Sequence, residues 1–375
     1  MIENYGQQDL RKLNLKKFNF LKNKKIVTNG EFCKKFEKKI LTISKSKYSV
    51  VCNNGTSAIL MAILALNKKE LITIIPNINF VAAASIMTLL KNNFVLCDVN
   101  PKTGMVDLEN FKKCLEGCKK KNIKPNLFIP VHYAGNILEL SEIQKICKKK
   151  KIDIIEDGCH SFGSSKKTNT VGNCKNSIMT TFSFHPVKNI TTLEGGAITT
   201  NNKKIFEKLL DLRSHSLKNT SIEEPYRLVS PSLNFRMSEI NAAIGIDQIT
   251  LLNYFKKKRN NLVKKYIEEL SIFKKNFDIL NFDNKNFFWH LFVIKLKNKK
   301  IKKKLMLFLK KKKIGSQVHY KPLFHHKVFK QNILLNYSKN SSNFYNSQLS
   351  LPLHPKMSAK DVKKISNTLN TFFNK

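Results

Sequence analysis

The chain has 375 residues and carries 68 Lys and Arg against 26 Asp and Glu, a net charge of +42. A hydrophobic fraction of 42%, spread along the whole length, excludes a disordered polycation and suits a globular protein large enough for two domains. No apolar run approaches the roughly 20 residues of a membrane-spanning helix, and the start Met1-Ile2-Glu3-Asn4-Tyr5-Gly6 lacks the apolar stretch of a secretory signal. A cytoplasmic protein with no membrane partner is expected.

In chain order, apolar runs predict strands at Tyr48–Cys52, Thr73–Ile75, Phe94–Cys97, Leu127–Val131, Ile152–Ile155, Met179–Ser183 and Ala197–Thr199. Between them, helical periodicity predicts helices at Thr56–Leu66, Val81–Leu90, Asp107–Leu115, Leu140–Lys149 and Lys203–Leu212. Short buried strands alternating with amphipathic helices predict an α/β fold with a mainly parallel central sheet. From Ser238 a long amphipathic helix leads toward a second α/β unit. The expected division is a large domain over 1–250, with an N-terminal arm, and a smaller C-terminal domain over 251–375.

Only five basic residues are arginines (Arg11, Arg213, Arg227, Arg236 and Arg259), whereas a phosphate- or base-reading surface favours the guanidinium fork. The lysine runs at 119–121, 148–151, 256–258 and 310–313 are scattered near predicted helix ends and read as solvated faces. No specific nucleic-acid partner is expected. Cysteines at 33, 52, 97, 114, 118, 147, 159 and 174 form neither a C-x-x-C pair nor a Cys/His group at zinc spacing. They read as buried thiols, and no metal site is expected.

Three segments carry chemistry. In Cys52-Asn53-Asn54-Gly55-Thr56-Ser57, hydroxyls and free amides open a predicted helix, an arrangement that binds anions and equally serves as an ordinary cap. Ile154-Ile155-Glu156-Asp157-Gly158-Cys159-His160 puts a carboxylate at the carboxyl end of a strand, where open parallel sheets bind ligands. In Ser183-Phe184-His185-Pro186-Val187-Lys188-Asn189, Lys188 has no lysine neighbours and sits between an apolar strand and the Gly195-Gly196 turn. A lysine that condenses with a carbonyl needs such a fixed position and a depressed pKa.

In this order and spacing, the three segments resemble the DegT-type sugar-nucleotide aminotransferases, which are pyridoxal-phosphate enzymes of the aspartate aminotransferase fold (fold type I). The likeness extends through Pro76-Asn77-Ile78-Asn79-Phe80, Pro130-Val131-His132-Tyr133, Leu233-Asn234-Phe235-Arg236, Trp289-His290-Leu291 and Gln317-Val318-His319-Tyr320. The resemblance implies that Lys188 holds pyridoxal 5′-phosphate and moves the proton, while Asp157 pairs with the pyridine nitrogen. It further implies that Phe80 stacks on the ring, that Thr56, Ser57 and Ser183 bind the phosphate, and that Asn234 reaches the phosphate of a second subunit in a homodimer. By the same resemblance, His160 would lie beside the ring's phenolic oxygen, where many relatives carry Gln.

His160, the Ser183–Lys188 segment and His319-Tyr320 are similar to the branch of the family that aminates C4 of UDP-2-acetamido-2,6-dideoxy-β-L-arabino-hex-4-ulose with L-glutamate, on the route to pseudaminic acid. His185, His290, His319 and Tyr320 are accordingly expected on the substrate side. Bacillosamine- or perosamine-type aminotransferases are the alternative. A sugar dehydratase of this fold would place His at position 188, and a non-catalytic cofactor-binding regulator or basic nucleic-acid binder would rest on charge alone. Leu193, Ser216 and Ser232 stand where relatives usually have Gly, so local loop rearrangement is expected there.

Overall fold

A computed structural model describes residues 2–10, 19, 27–166, 169–218, 222, 226–280 and 288–374. The first five strands, β1 (Tyr48–Cys52), β2 (Ile72–Pro76), β3 (Asn93–Cys97), β4 (Leu127–Phe128) and β5 (Asp153–Asp157), are buried on both faces. Their near-continuous apolar sequences follow from that double burial. A short hairpin, β6 (Ser165–Lys166) with β7 (Asn169–Thr170), precedes β8 (Met179–Ser183) and β9 (Gly196–Thr200). A second, β10 (Leu217–Lys218) with β11 (Arg227–Leu228), lies on the surface. β12 (Phe277–Ile279), β13 (Phe292–Leu296) and β15 (Gln348–Leu351) make a separate antiparallel sheet, while β14 (Ile333–Asn336) goes elsewhere.

The main sheet has the order β1-β9-β8-β5-β4-β2-β3-β14. β9 is antiparallel to both of its neighbours and every other pairing is parallel, as expected of a mainly parallel sheet. β14 comes from beyond residue 250 yet adds to the edge of this sheet beside β3. A simple boundary at 250 therefore describes connectivity better than packing.

Local capping sets the helix starts. Asn54, Asp107, Asn202 and Ser238 each accept a hydrogen bond from the backbone amide three residues on, opening the helices Gly55–Ala65, Leu108–Lys120, Lys203–Arg213 and Glu239–Thr250. Lysine pairs close several helices: Lys119 and Lys120, Lys148 and Lys149, and Lys310 and Lys311 lie in last turns, where the helix dipole is negative. These six lysines are placed where helix electrostatics favour a positive charge. The helix Glu31–Ser44 has no side-chain cap of its own. Instead the buried Glu239 carboxylate accepts the amides of Gly30, Phe32 and Cys33 at 2.9, 2.8 and 3.0 Å.

Leu193 and Ser216 hold φ of 69° and 54°. At these two positions the backbone keeps the left-handed conformation that glycine would favour, at a cost of about 1–2 kcal/mol each. Leu193 is steadied by its amide bond to Thr191 Oγ1 (2.9 Å), and Ser216 by its amide bond to Asp211 O (2.8 Å). Among the described residues no helix is long and apolar enough to cross a membrane.

Candidate active site

The antiparallel strand builds the site. Because β9 runs against β8, its first residue Gly196 lies at the edge where β1, β5 and β8 end, and the register pairs it with both Cys52 and Ser183. The loop joining β8 to β9 closes over that edge through Phe184 N to Gly195 O (2.8 Å) and Thr192 N to Phe184 O (2.9 Å). Lys188 sits within this loop. Asp157, the last residue of β5, pairs with Thr181 of β8 and so reaches the same edge.

Close approach requires glycine at two points. A Cβ at Gly55 would lie 2.6 Å from Ser183 Cβ, and one at Gly196 would lie 2.3 Å from Asn54 O. The start of the helix Gly55–Ala65 is therefore pressed against the end of β8. Thr56, Ser57 and Ser183 converge there, with Asn54 Oδ1 accepting the Ser57 amide at 2.8 Å.

A cavity of about 740 Å³ opens on this edge. Thr56, Ser57 and Ser183 line it with Phe80, Asp157 and Lys188. His160, His185, His319 and Tyr320 complete the expected set on its walls. Two expected residues lie apart from it. Asn234 is exposed beside the β10–β11 hairpin, with Oδ1 accepting the Arg236 amide at 3.1 Å. His290 is buried behind His160, ring centroids 4.3 Å apart, and its carbonyl accepts Arg259 Nη1.

Tyr5, Asn79, Cys159, Glu194 and Gln317 also line the cavity and were not expected there. Asn79 stands one residue before Phe80, and its buried Nδ2 lacks a hydrogen-bond partner. Its place beside the aromatic was a usable signal, whereas Tyr5 had none, because the contact of the N-terminal segment with the cavity is wholly tertiary.

Burial, opposed by the Asp157 carboxylate, lowers the Lys188 pKa below the ordinary 10.5. A larger fraction of neutral amine is then available near neutral pH. Asp157 itself is held by Oδ1, which accepts the Cys159 amide at 3.0 Å. Burial and the nearby Asp157 keep the Cys159 thiol protonated.

The histidines form a neutral group. His160 is pushed well below its usual range by burial and then by Lys188 and His319, while His290 is lowered by burial, His160 and Lys188. Burial and Lys188 take His319 down to about 3. His160 Nδ1 accepts the Ala134 amide at 3.4 Å, which assigns the proton to Nε2, 2.8 Å from Tyr320 Oη.

Histidines kept neutral in the fold make stability depend on pH. Below pH about 6.5 the unfolded chain binds protons that the folded chain refuses, so stability rises with pH and is lost on acidification. Each such histidine contributes a slope of about 1.4 kcal/mol per pH unit once its unfolded form is protonated. Denaturant titrations between pH 4.5 and 7.5 should show this slope, and His319→Asn should remove one histidine's share. An unaltered slope in His319→Asn would contradict a neutral His319.

The residues suit a phosphorylated pyridine aldehyde. A helix N-terminus with three hydroxyls offers a phosphate cradle, the Asp157 carboxylate suits a protonated ring nitrogen, and Phe80, 54% exposed within a cavity wall, leaves a ring face open for stacking. Lys188 supplies the amine.

Comparison with known proteins identifies the relatives of this chain. A UDP-4-amino-4,6-dideoxy-N-acetyl-β-L-altrosamine transaminase of Campylobacter jejuni is 33% identical over 356 residues, covering 93% of this chain and 92% of that one. The Helicobacter pylori aminotransferase PseC, described as involved in the biosynthesis of pseudoaminic acid, superposes with a TM-score of 0.89 at 28% identity, covering 99% and 98% of the two chains. A sugar aminotransferase fold from Streptococcus pneumoniae, solved in its PLP form, has a TM-score of 0.86 at 23% identity over 98% and 97% of the chains. The model of the DegT/DnrJ/EryC1/StrS aminotransferases matches residues 8–370, a span holding the helix cradle, Asp157 and Lys188 alike, and the chain belongs to that family.

Proposed function

We propose that the protein transfers the amino group of L-glutamate to C4 of a UDP-linked 4-keto-6-deoxy-N-acetylhexosamine, with UDP-2-acetamido-2,6-dideoxy-β-L-arabino-hex-4-ulose as the preferred acceptor and pyridoxal 5′-phosphate as cofactor. The observation that carries this reading is the half-buried Lys188, its amine of lowered pKa, set beside Asp157 in a cavity that opens on a helix N-terminus. The altrosamine-transaminase relatives and the histidine-lined wall support the choice of sugar.

When bound, pyridoxal phosphate supplies an electron sink that lets an amino group be taken from one substrate and given to another. Thr56, Ser57 and Ser183, with the first-turn amides, hold the phosphate. Asp157 keeps the ring nitrogen protonated through its charge, and Phe80 stacks on the ring. Lys188 Nζ takes a proton from Cα of glutamate in one half of the reaction and places one on the sugar's C4 in the other. The neutral His160, donating to Tyr320, adds polarity beside the ring without adding a competing positive charge.

In this reading residues 1–250 hold the cofactor and 251–375 wall the substrate side through Gln317, His319 and Tyr320. The active form is a homodimer. Leu217, Leu228, Val229 and Leu233 are exposed apolar side chains of the β10–β11 hairpin and the stretch leading to Asn234, a surface suited to a second copy that would bring Asn234 toward the neighbouring phosphate cradle.

Epimers at C5 put the methyl group on opposite faces of the pyranose, so a pocket lined for one misplaces the carbonyl of the other. With glutamate and pyridoxal phosphate, kcat/KM should clearly favour the β-L-arabino ketone over its D-xylo epimer, measured on a species near twice 43.2 kDa by light scattering. Equal efficiency, or preference for the D-xylo sugar, would point to a bacillosamine-type enzyme. No amination of any 4-keto sugar in a UDP, dTDP and GDP panel would end the reading.

A further inference from the structure

Aromatic side chains form a row along the cavity. Phe80 and Tyr320 have ring centroids 5.7 Å apart, Tyr320 and His319 5.1 Å, and His319 and Tyr5 5.0 Å. All four line the cavity. Phe80 is the ring assigned to the cofactor, so Tyr5 lies at the far end of the row, three ring contacts away.

Tyr5 is held there by its own segment. Ile2 O accepts the Gly315 amide at 2.7 Å, Tyr5 O accepts the Leu353 amide at 3.0 Å, and Asp9 O accepts Gln248 Nε2 at 2.9 Å. Gln8 Nε2 donates to the carbonyl of Lys188 itself. The fit leaves no slack: a Cβ at Gly315 would lie 2.4 Å from Glu3 O, and one at Gly6 would lie 3.3 Å from Val187 Cβ. The segment thus runs from the small-sheet side to the Lys188 loop, with Tyr5 fixed between them.

The Tyr5 hydroxyl makes no hydrogen bond among the described residues. Burial raises its pKa above 10, so it remains a donor at neutral pH. A partly desolvated phenol in a cavity wall, with no hydrogen-bond partner among the described residues, is a group available to a ligand.

We infer that Tyr5 is a specificity-determining residue for the nucleotide sugar, its ring ending the aromatic wall and its hydroxyl donating to a polar substituent of that substrate. The inference rests on the aminotransferase reading. Both substrates react beside Lys188, but the nucleotide sugar is far larger than glutamate. Tyr5 ends the aromatic row that starts at the ring assigned to the cofactor, so it is placed to meet the larger substrate.

The test separates the two halves of the reaction on holoenzyme. Conversion of the cofactor by glutamate is followed by its visible absorbance, and amination of the 4-keto sugar by product mass. Tyr5→Phe should keep the glutamate half and the cofactor spectrum, and should lose roughly tenfold in kcat/KM for the sugar half, the worth of one hydrogen bond. Tyr5→Ala should lose more, in the same half only. If Tyr5→Phe matches the wild type on the sugar, or if both halves fall together, the inference is overturned while the aminotransferase reading stands. If the wild type completes the glutamate half but aminates no sugar of the panel, both are overturned.

Discussion

Lys188→Ala should abolish transamination, with kcat falling by at least about 10⁴-fold, since in the proposed mechanism one side chain both anchors the cofactor and moves the proton. Borohydride treatment of the wild-type holoenzyme should fix a pyridoxyl group on Lys188, identified by peptide mass, and the variant should take no label at any other lysine. That site-selectivity is a demanding expectation in so lysine-rich a chain. Lys188 earns it by burial: its amine is desolvated and neutral more often than the exposed lysines of the helix ends. Label found on another lysine, with Lys188→Ala still active, would refute the assignment. The fold should survive the change, because the loop is held through backbone bonds of Phe184 and Thr192 and not through the Lys188 side chain.

Asp157→Asn should lower kcat by about 10²–10³-fold, the range seen when one preorganised electrostatic partner of a developing charge is removed. The amide oxygen can keep the bond that Oδ1 accepts from Cys159 N, so the strand end and much of the cofactor affinity should remain. The sign of the electrostatics separates two explanations. Asp157 raises the Lys188 pKa, so removing its charge lowers that pKa further and increases the neutral amine. A loss of turnover therefore cannot come from a more protonated lysine, and accords with the ring nitrogen losing the partner proposed for it. Unchanged turnover, or a loss recovered simply by raising pH, would contradict the role given to Asp157.

Much of the fold was legible because its determinants are local. The strand at Tyr48–Cys52 was expected with the bounds it has, and the helices after Asn54, Asp107, Asn202 and Ser238 begin within a residue or two of the expected starts. A cap is written in four consecutive residues, and double burial in one apolar run. The helix Glu31–Ser44 is the counterexample. Its start is satisfied by Glu239, about two hundred positions later, so nothing near Glu31 announces it.

The residue types around the cavity were also legible in the sequence: a strand-end carboxylate at Asp157, hydroxyls opening a helix at Thr56 and Ser57, and an isolated Lys188. Their meeting was not. It depends on β9 running antiparallel between β1 and β8, which brings three strand ends and the Lys188 loop to one edge. Tertiary structure alone put Tyr5 into the cavity wall, drew β14 onto the large sheet, set His290 behind His160 and left Asn234 exposed away from its own chain's cavity. Periodicity and capping depend on neighbours within a few residues, so they can be read along the chain. Which distant segments share a cavity depends on strand order and on the burial that strand order imposes, and those exist only once the whole sheet has formed.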